Sequence, residues 1–336
     1  MEHEQHNQEA RAQSRSSVVK EYAVPIAIVI AGSIFAVSNY LAQISAVGVA
    51  SAPRNAEIGQ LEESIAPTRG VELPVTWGDL GKKLVDAGAI DPDKMAALYK
   101  DRGGFPSEYR KLLMQEGNGK IVMTRENAGY LLNLLWPLGL ANKNPILEDK
   151  TEMMHPGYGG AGNFASTGGW TIAKGDAMNH YNMHSLVTLT ADQQRLVDRV
   201  ARNIFRPCCG NSVHFPDCNH GMAMLGLLEL MASQGVSEKD MYKAALAVNS
   251  YWFPDTYLTI AMYMQGRGVA WNKVSPEEML GANYSGAAGF QSILSQVNVP
   301  SGQGGGGGCG VDAGAPAAAT AAVDEHGHQQ QSGCGV

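Results

Sequence analysis

The chain is poor in charge. Charged residues make up 17% of its 336 positions, the formal net charge is −7, and Lys and Arg are scattered rather than clustered. No basic stripe exists to track phosphates, which argues against a nucleic-acid partner. Strand patterning is equally scarce, since Lys120–Met123 and Leu186–Leu189 are short and isolated. The glycine-rich stretch 157–169 (GYGGAGNFASTGG) lacks the Lys-Ser/Thr ending of a phosphate loop and the strand–loop–helix setting of a dinucleotide fingerprint. No nucleophile elbow surrounds Ser166-Thr167-Gly168-Gly169. There is no Cys-x-x-Cys and no βαβ pattern, which counts against a thioredoxin-like oxidoreductase.

Charge is missing altogether between Tyr22 and Pro53, and Ala23–Val37 (AVPIAIVIAGSIFAV) is almost continuously apolar. With Ser38–Leu41 the run reaches the ~20 residues that a membrane-spanning helix needs. Arg11, Arg15 and Lys20 precede it and only Arg54 follows closely. The positive-inside rule then predicts a single-pass protein of the cell membrane, its N-terminus cytoplasmic and its main domain extracytoplasmic. A cleaved signal peptide, with Ala50-Ser51-Ala52 as the small-residue site, is the alternative, and it exports the domain too. The expected organisation is a polar cytoplasmic segment (1–21), a transmembrane anchor (22–42), a stalk (43–70), a helical metal-binding domain (71–297) and a flexible tail (298–336).

Helix start signals punctuate the domain. Thr76 precedes WGDLGKKLVDAG, Asp91-Pro92 opens DKMAALYKDRGG, and Thr124 opens RENAGYLLNLLWPLGL. Thr190, Ser237 and Ser275 each stand three residues before Gln193, Asp240 and Glu278. Side-chain oxygens at such positions accept the unpaired first N–H groups of a helix. Leu196, Val197, Val200 and Ile204 share one face at helical spacing. These signals predict an all-α, multi-helix globular domain of about nine helices. The glycine-rich 157–169 is either a long functional loop or a seam between two helical halves. From Val299 the chain is rich in Gly and Ala, without an apolar face to offset the entropy of ordering. It repeats Gly-Cys-Gly-Val at 308–311 and 333–336.

Against this background, residues 208–222 (CCGNSVHFPDCNHGM) gather three of the five cysteines and two histidines. The loop runs into a predicted helix, HGMAMLGLLELMASQG, whose partly positive N-terminal amides favour thiolate. Thiolate and imidazole together suit a transition metal ion, copper or zinc. Cys208, Cys209, Cys218 and His220 are the expected core ligands, with His214 as a possible addition. A disulfide from Cys208 or Cys209 to Cys218, stapling the loop of a structural or partner-binding envelope protein, is a second option. Thiol–disulfide exchange is a third. Upstream, KGDAMNHYNMHS places Asp176, His180 and His184 at i, i+4 and i+8, one face of a helix if 174–185 is helical. These three residues are expected to extend the metal site. Cys309, His326, His328 and Cys334 of the tail would then form a mobile arm that captures or hands over the ion.

Pro207-Cys208-Cys209-Gly210 and Asp217-Cys218-Asn219-His220-Gly221-Met222, with GYLLNLLWPLGLANKNP and GGAGNFASTGGWTIAKGDAM, give most of 71–297 a further likeness. The chain resembles an uncharacterised family of membrane-anchored proteins from candidate-phylum bacteria. That resemblance implies export and tethering and carries no residue roles. The Pro-Cys-Cys-Gly stretch is also similar in flavour to PCYCGC-motif lipoproteins, although here the second thiol directly follows the first and no Cys-Gly-Cys is present.

Overall fold

The computed structural model describes residues 56–297, and those from Leu61 onward fall within one compact unit. The expected segment 1–21, the anchor 22–42, the first part of the stalk (43–55), and the tail with Cys309, His326, His328 and Cys334 lie outside the described residues. Among the described residues, no helix is long and apolar enough to cross a membrane.

Helix dominates, at 58% against 7% strand, but the unit is not all-α. Strand β1 (Val71–Gly78) pairs antiparallel with β2 (Asn118–Met123), with Val71 opposite Met123 and Gly78 opposite Asn118. Leu73, Val75 and Trp77 alternate inward, the period of a half-buried strand. Pro74 cannot donate to a ladder, and the register is irregular between Glu72 and Thr76. Thr76 therefore lies in a strand and starts no helix; Asp79 occupies that position for α1 (Leu80–Asp86). The expected stalk ends sooner than residue 70. Ile65 and Ala66 are buried, Arg125 donates to the Ala66 carbonyl at 2.9 Å, and Tyr251 donates to that of Pro67 at 2.8 Å.

Residues 56–65 are helical too, and after α1 come α2 (Pro92–Ala97), α3 (Ser107–Met114), α4 (Ala128–Ala141), α5 (Ala165–Gly168), α6 (Ala191–Asn203), α7 (Asn219–Ser233), α8 (Glu238–Trp252), α9 (Pro254–Gly266), α10 (Pro276–Leu280), α11 (Ala282–Ser285) and α12 (Ala287–Leu294). Several begin where the side-chain oxygens predict. Asp91 caps α2, Ser237 caps α8, Ser275 caps α10, and Thr190 with Gln193 forms a reciprocal capping box on α6. Thr124 caps only a turn, accepting from Asn127 N, and α4 starts at Ala128.

The core is a crossing of α4 and α7. Helix α7 is buried on every side from Asn219 to Ala232, as a helix apolar all round must be. The two backbones meet at Gly139 and Gly226: a Cβ on Gly139 would stand 1.9 Å from the Met222 carbonyl oxygen. Glycine is required there by close approach, and that approach fixes where the N-terminus of α7 emerges. Residues 157–169 form no seam. They fold as short turns, Pro156–Tyr158 and Ala161–Asn163, followed by α5.

A candidate three-thiol metal centre

Helix α6 ends at Ile204, and the chain folds back on itself before α7. Val213 N donates to the Ile204 carbonyl at 2.8 Å, Arg206 N to that of Asn211 at 3.2 Å, and Gly210 N to that of Arg206 at 2.7 Å. Gly210 makes the tight turn possible. Its φ is +72°, and an added Cβ would sit 2.8 Å from the Ala287 Cβ at the start of α12. This loop carries Cys208 and Cys209 toward Cys218, the N-cap of α7, whose Sγ accepts from Gly221 N at 3.4 Å.

The three sulfurs form a nearly equilateral triangle. Cys208 and Cys209 Sγ are 3.7 Å apart, and each lies 3.5 Å from Cys218 Sγ. None is disulfide-bonded; Cys208 and Cys209 are partly accessible and Cys218 is buried. Among the described residues, these three form the cluster whose candidate ligand atoms all lie within 4.8 Å of one another.

Behind the triangle lies Arg206, fully buried. Its guanidinium donates to Cys209 Sγ at 3.1 Å, the Phe215 carbonyl at 3.0 Å, the Ser212 carbonyl and the Asp217 carboxylate. Asp217 also accepts from Asn211 Nδ2 at 2.7 Å. Gly221 makes room for this cation, because a Cβ there would come within 2.6 Å of Arg206 Cζ. Burial works against charge on Arg206, but the surrounding thiolates and Asp217 outweigh it and keep the guanidinium protonated. Burial also raises Cys218. Hydrogen bonds from Cys208 and Cys209 and the charge of Arg206 overcome it, and the net direction is downward, toward thiolate. Cys208 moves up, through its bonds to the other two sulfurs and its burial. Asp217 rises to about 6, burial prevailing over Arg206. The Cys218 proton is thus more easily lost than that of Cys208, and it leaves from the helix N-terminus.

His220, expected as the fourth ligand, stands outside the sulfur group. Its ring is edge-on to Trp252 at 5.4 Å and tilted on Phe253 at 4.5 Å, and neither nitrogen has a hydrogen-bond partner. Burial holds it neutral, its pKa down to about 3. His214 is likewise not gathered in. Its Nε2 meets Asp198 Oδ1 at 2.9 Å and its Nδ1 faces Glu152 Oε1 at 3.3 Å. Residues 174–185 are not helical, so the expected stack along one face does not exist. Asp176 is exposed and caps the short turn Ala177–Asn179 by accepting from Met178 N. His180 and His184 pair with each other, His180 Nδ1 lying 3.1 Å from His184 Nε2.

Two features escape sequence reasoning. Arg206 and Asp217 flank the cysteines as ordinary charged residues, and nothing in their spacing tells a buried ion pair from two solvated ends. A cavity of about 820 Å³ reaches the Asp217 end of this pair: Asn211 and Asp217 lie on its wall with Tyr158, Phe164 and Phe215, whose rings meet edge to face at 5.4–5.7 Å. The glycine-rich stretch contributes the first two of those rings and is a cavity wall. Comparison with protein-family profiles, curated proteins and solved structures gives no match.

Proposed function

We propose that this chain is a metal-binding protein that holds a thiophilic ion on Cys208, Cys209 and Cys218. The observation that carries the reading is the triangle of unbonded sulfurs, 3.5–3.7 Å on a side, at the N-terminus of a buried helix. Such a triangle places each sulfur ~2.1 Å from its centre, so an ion at the usual ~2.3 Å from sulfur stands about 1 Å off the plane. That is one face of a tetrahedron with an apex left for a fourth ligand. Planar three-coordinate copper(I) would need the sulfurs to spread to roughly 4.0 Å at the same bond length, so the spacing favours zinc over copper. The uncharged run 22–53 supports placing the site outside the cytoplasm on a single N-terminal anchor.

Reduced, tag-free protein reconstituted with zinc is expected to retain one ion at this site, lost on Cys218→Ser. The cobalt(II)-substituted form should show sulfur-to-metal charge transfer, lost in the same variant. Less than about a tenth of an equivalent of zinc after reconstitution, or charge transfer unchanged by Cys218→Ser, overturns the reading.

One observation favours a second reading. Cys218, the thiol poised toward thiolate, has two sulfurs within 3.5 Å, and a disulfide at ~2.05 Å requires one of them to close by about 1.5 Å. In that case two thiols pass two electrons and two protons to a disulfide of another protein. A thiol count that stays at three for this loop in both reducing and oxidising buffers excludes it.

A further inference from the structure

Apart from the three sulfurs, the turn that joins His180 to His184 brings two imidazole nitrogens together. Four backbone bonds hold this turn. His180 N donates to Ala177 O, Asn182 N to Leu140 O, His184 N to Ala141 O, and Lys143 N to His184 O, all at 2.8–3.0 Å. Among the described residues, Asn182 is the one non-glycine with positive φ (57°), a conformation that asparagine tolerates better than most residues. Its side chain is pinned on both sides, accepting from Asn144 N at 2.7 Å and donating to Glu148 at 2.8 Å. The turn is therefore built, and it sets the two imidazoles side by side, ring centroids 5.4 Å apart and planes 26° from parallel.

The tautomers follow from one contact. His180 Nε2 lies 2.9 Å from the Lys174 carbonyl oxygen, which can only accept, so the proton sits on Nε2 and Nδ1 presents a bare lone pair. A backbone carbonyl on the far nitrogen is the arrangement that orients metal-ligating histidines. Gly88 backs the ring: a Cβ there would stand 3.1 Å from His180 Cε1. His184 Nε2 is 3.1 Å from that lone pair and supplies the hydrogen between them. Two ligand atoms 3.1 Å apart, each at ~2.05 Å from one ion, subtend about 98° at it, between the octahedral and tetrahedral angles.

We propose that His180 Nδ1 and His184 Nε2 chelate a divalent ion of borderline softness such as zinc, nickel or copper(II). On binding, the proton of His184 Nε2 shifts to its own Nδ1, so the exchange is neutral overall. His184 is only partly buried, which leaves the ion's other positions open to solvent or to a ligand brought by a partner. This site does not depend on the thiol site, and its ligand set is imidazole alone.

Cobalt(II) titration of the tag-free, full-length protein separates the two, because imidazole-bound cobalt gives ligand-field bands without sulfur charge transfer. The sulfur-free stoichiometry is expected to fall by one ion in His184→Gln. In His180→Asn that event should weaken by at least about tenfold. The sulfur charge-transfer bands should remain as in the parent in both variants, and the unfolding midpoint of the metal-free protein should remain so in the half-buried His184→Gln. Unchanged sulfur-free binding in His184→Gln, or none in the parent, overturns the proposal. Loss of charge transfer alone counts against the thiol site and leaves the histidine pair standing.

Discussion

The crossing of α4 and α7 can be tested by adding one carbon. In Gly226→Ala, the new Cβ falls 2.6 Å from both Gly139 N and Leu135 O. Ordinary contact begins at 3.4 Å, so the helices must part by about 0.8 Å, and the obstructing atoms are backbone that no rotamer change can move. Overpacking of this kind costs ~1–3 kcal/mol, and the rigid obstruction puts this site at the upper end. Against that, alanine gains about 1 kcal/mol over glycine in a helix interior. The expected net loss is about 2 kcal/mol, read as a lower urea midpoint at unchanged slope in far-ultraviolet circular dichroism. Gly139→Ala meets Met222 O at 1.9 Å and should lose more. Because the two positions touch, the double variant should cost less than the sum of the singles. Stability of Gly226→Ala within about 0.5 kcal/mol of the parent refutes the close crossing.

Other perturbations probe the buried charges and the sulfurs. Glu229, fully buried on α7, accepts from the Asn142 and Asn144 amides, but burial prevails and lifts its pKa from 4.5 to about 8. The unfolded chain therefore loses this proton first. Its contribution to stability should be greatest below about pH 4.5 and fall by roughly 1.4 kcal/mol per pH unit until about pH 8, then level. Glu229→Gln should remove that slope in urea midpoints taken from pH 5 to 8.5, and parallel profiles for the two proteins disprove it. Arg206→Met strands Asp217 in the core and should cost about 3–5 kcal/mol, most of it recovered in Arg206→Met/Asp217→Asn; a single variant as stable as the parent refutes the buried pair. Iodoacetamide should label Cys208 and Cys209 before buried Cys218, with zinc slowing all three. Equal rates with and without zinc, followed by mass spectrometry, tell against shared coordination.

The caps, the apolar helix 219–233 and the gathering of three thiols are legible in the chain, because each depends on residues a few positions apart. Thr190 with Gln193 and Ser237 with Asp240 are local geometry and need no tertiary knowledge. The miss at 174–185 has a local cause as well. Lys174-Gly175-Asp176 puts a positive-φ glycine (77°) before a residue whose side chain caps only one short turn, and Asn182 and His184 then close a tertiary turn against 140–143. Spacing by four remains, and the rings still meet, but on a built turn in place of a helix face. β1 escapes notice because Pro74, without an N–H for the ladder, argues against a strand despite the intact alternation around it, and Arg206 because burial of a charge depends on what folds over it from 215–221.

Unpaired polar atoms gather near the three thiols. A folded protein pairs nearly all its buried donors and acceptors, since each orphan costs about 1–3 kcal/mol. Among the described residues six buried side-chain atoms have no partner, and three of them are Arg206 Nε and the two nitrogens of His220. Half the unmet polarity thus lies on two side chains, with Arg206 touching Cys209 and His220 two residues from Cys218. A loop selected for stability alone would place apolar residues there, since replacing a buried ion pair with packed hydrocarbon is often neutral or stabilising. Retaining a cation and three thiols around one helix N-terminus makes sense if a ligand offsets the desolvation, the role proposed above for an ion on the three sulfurs.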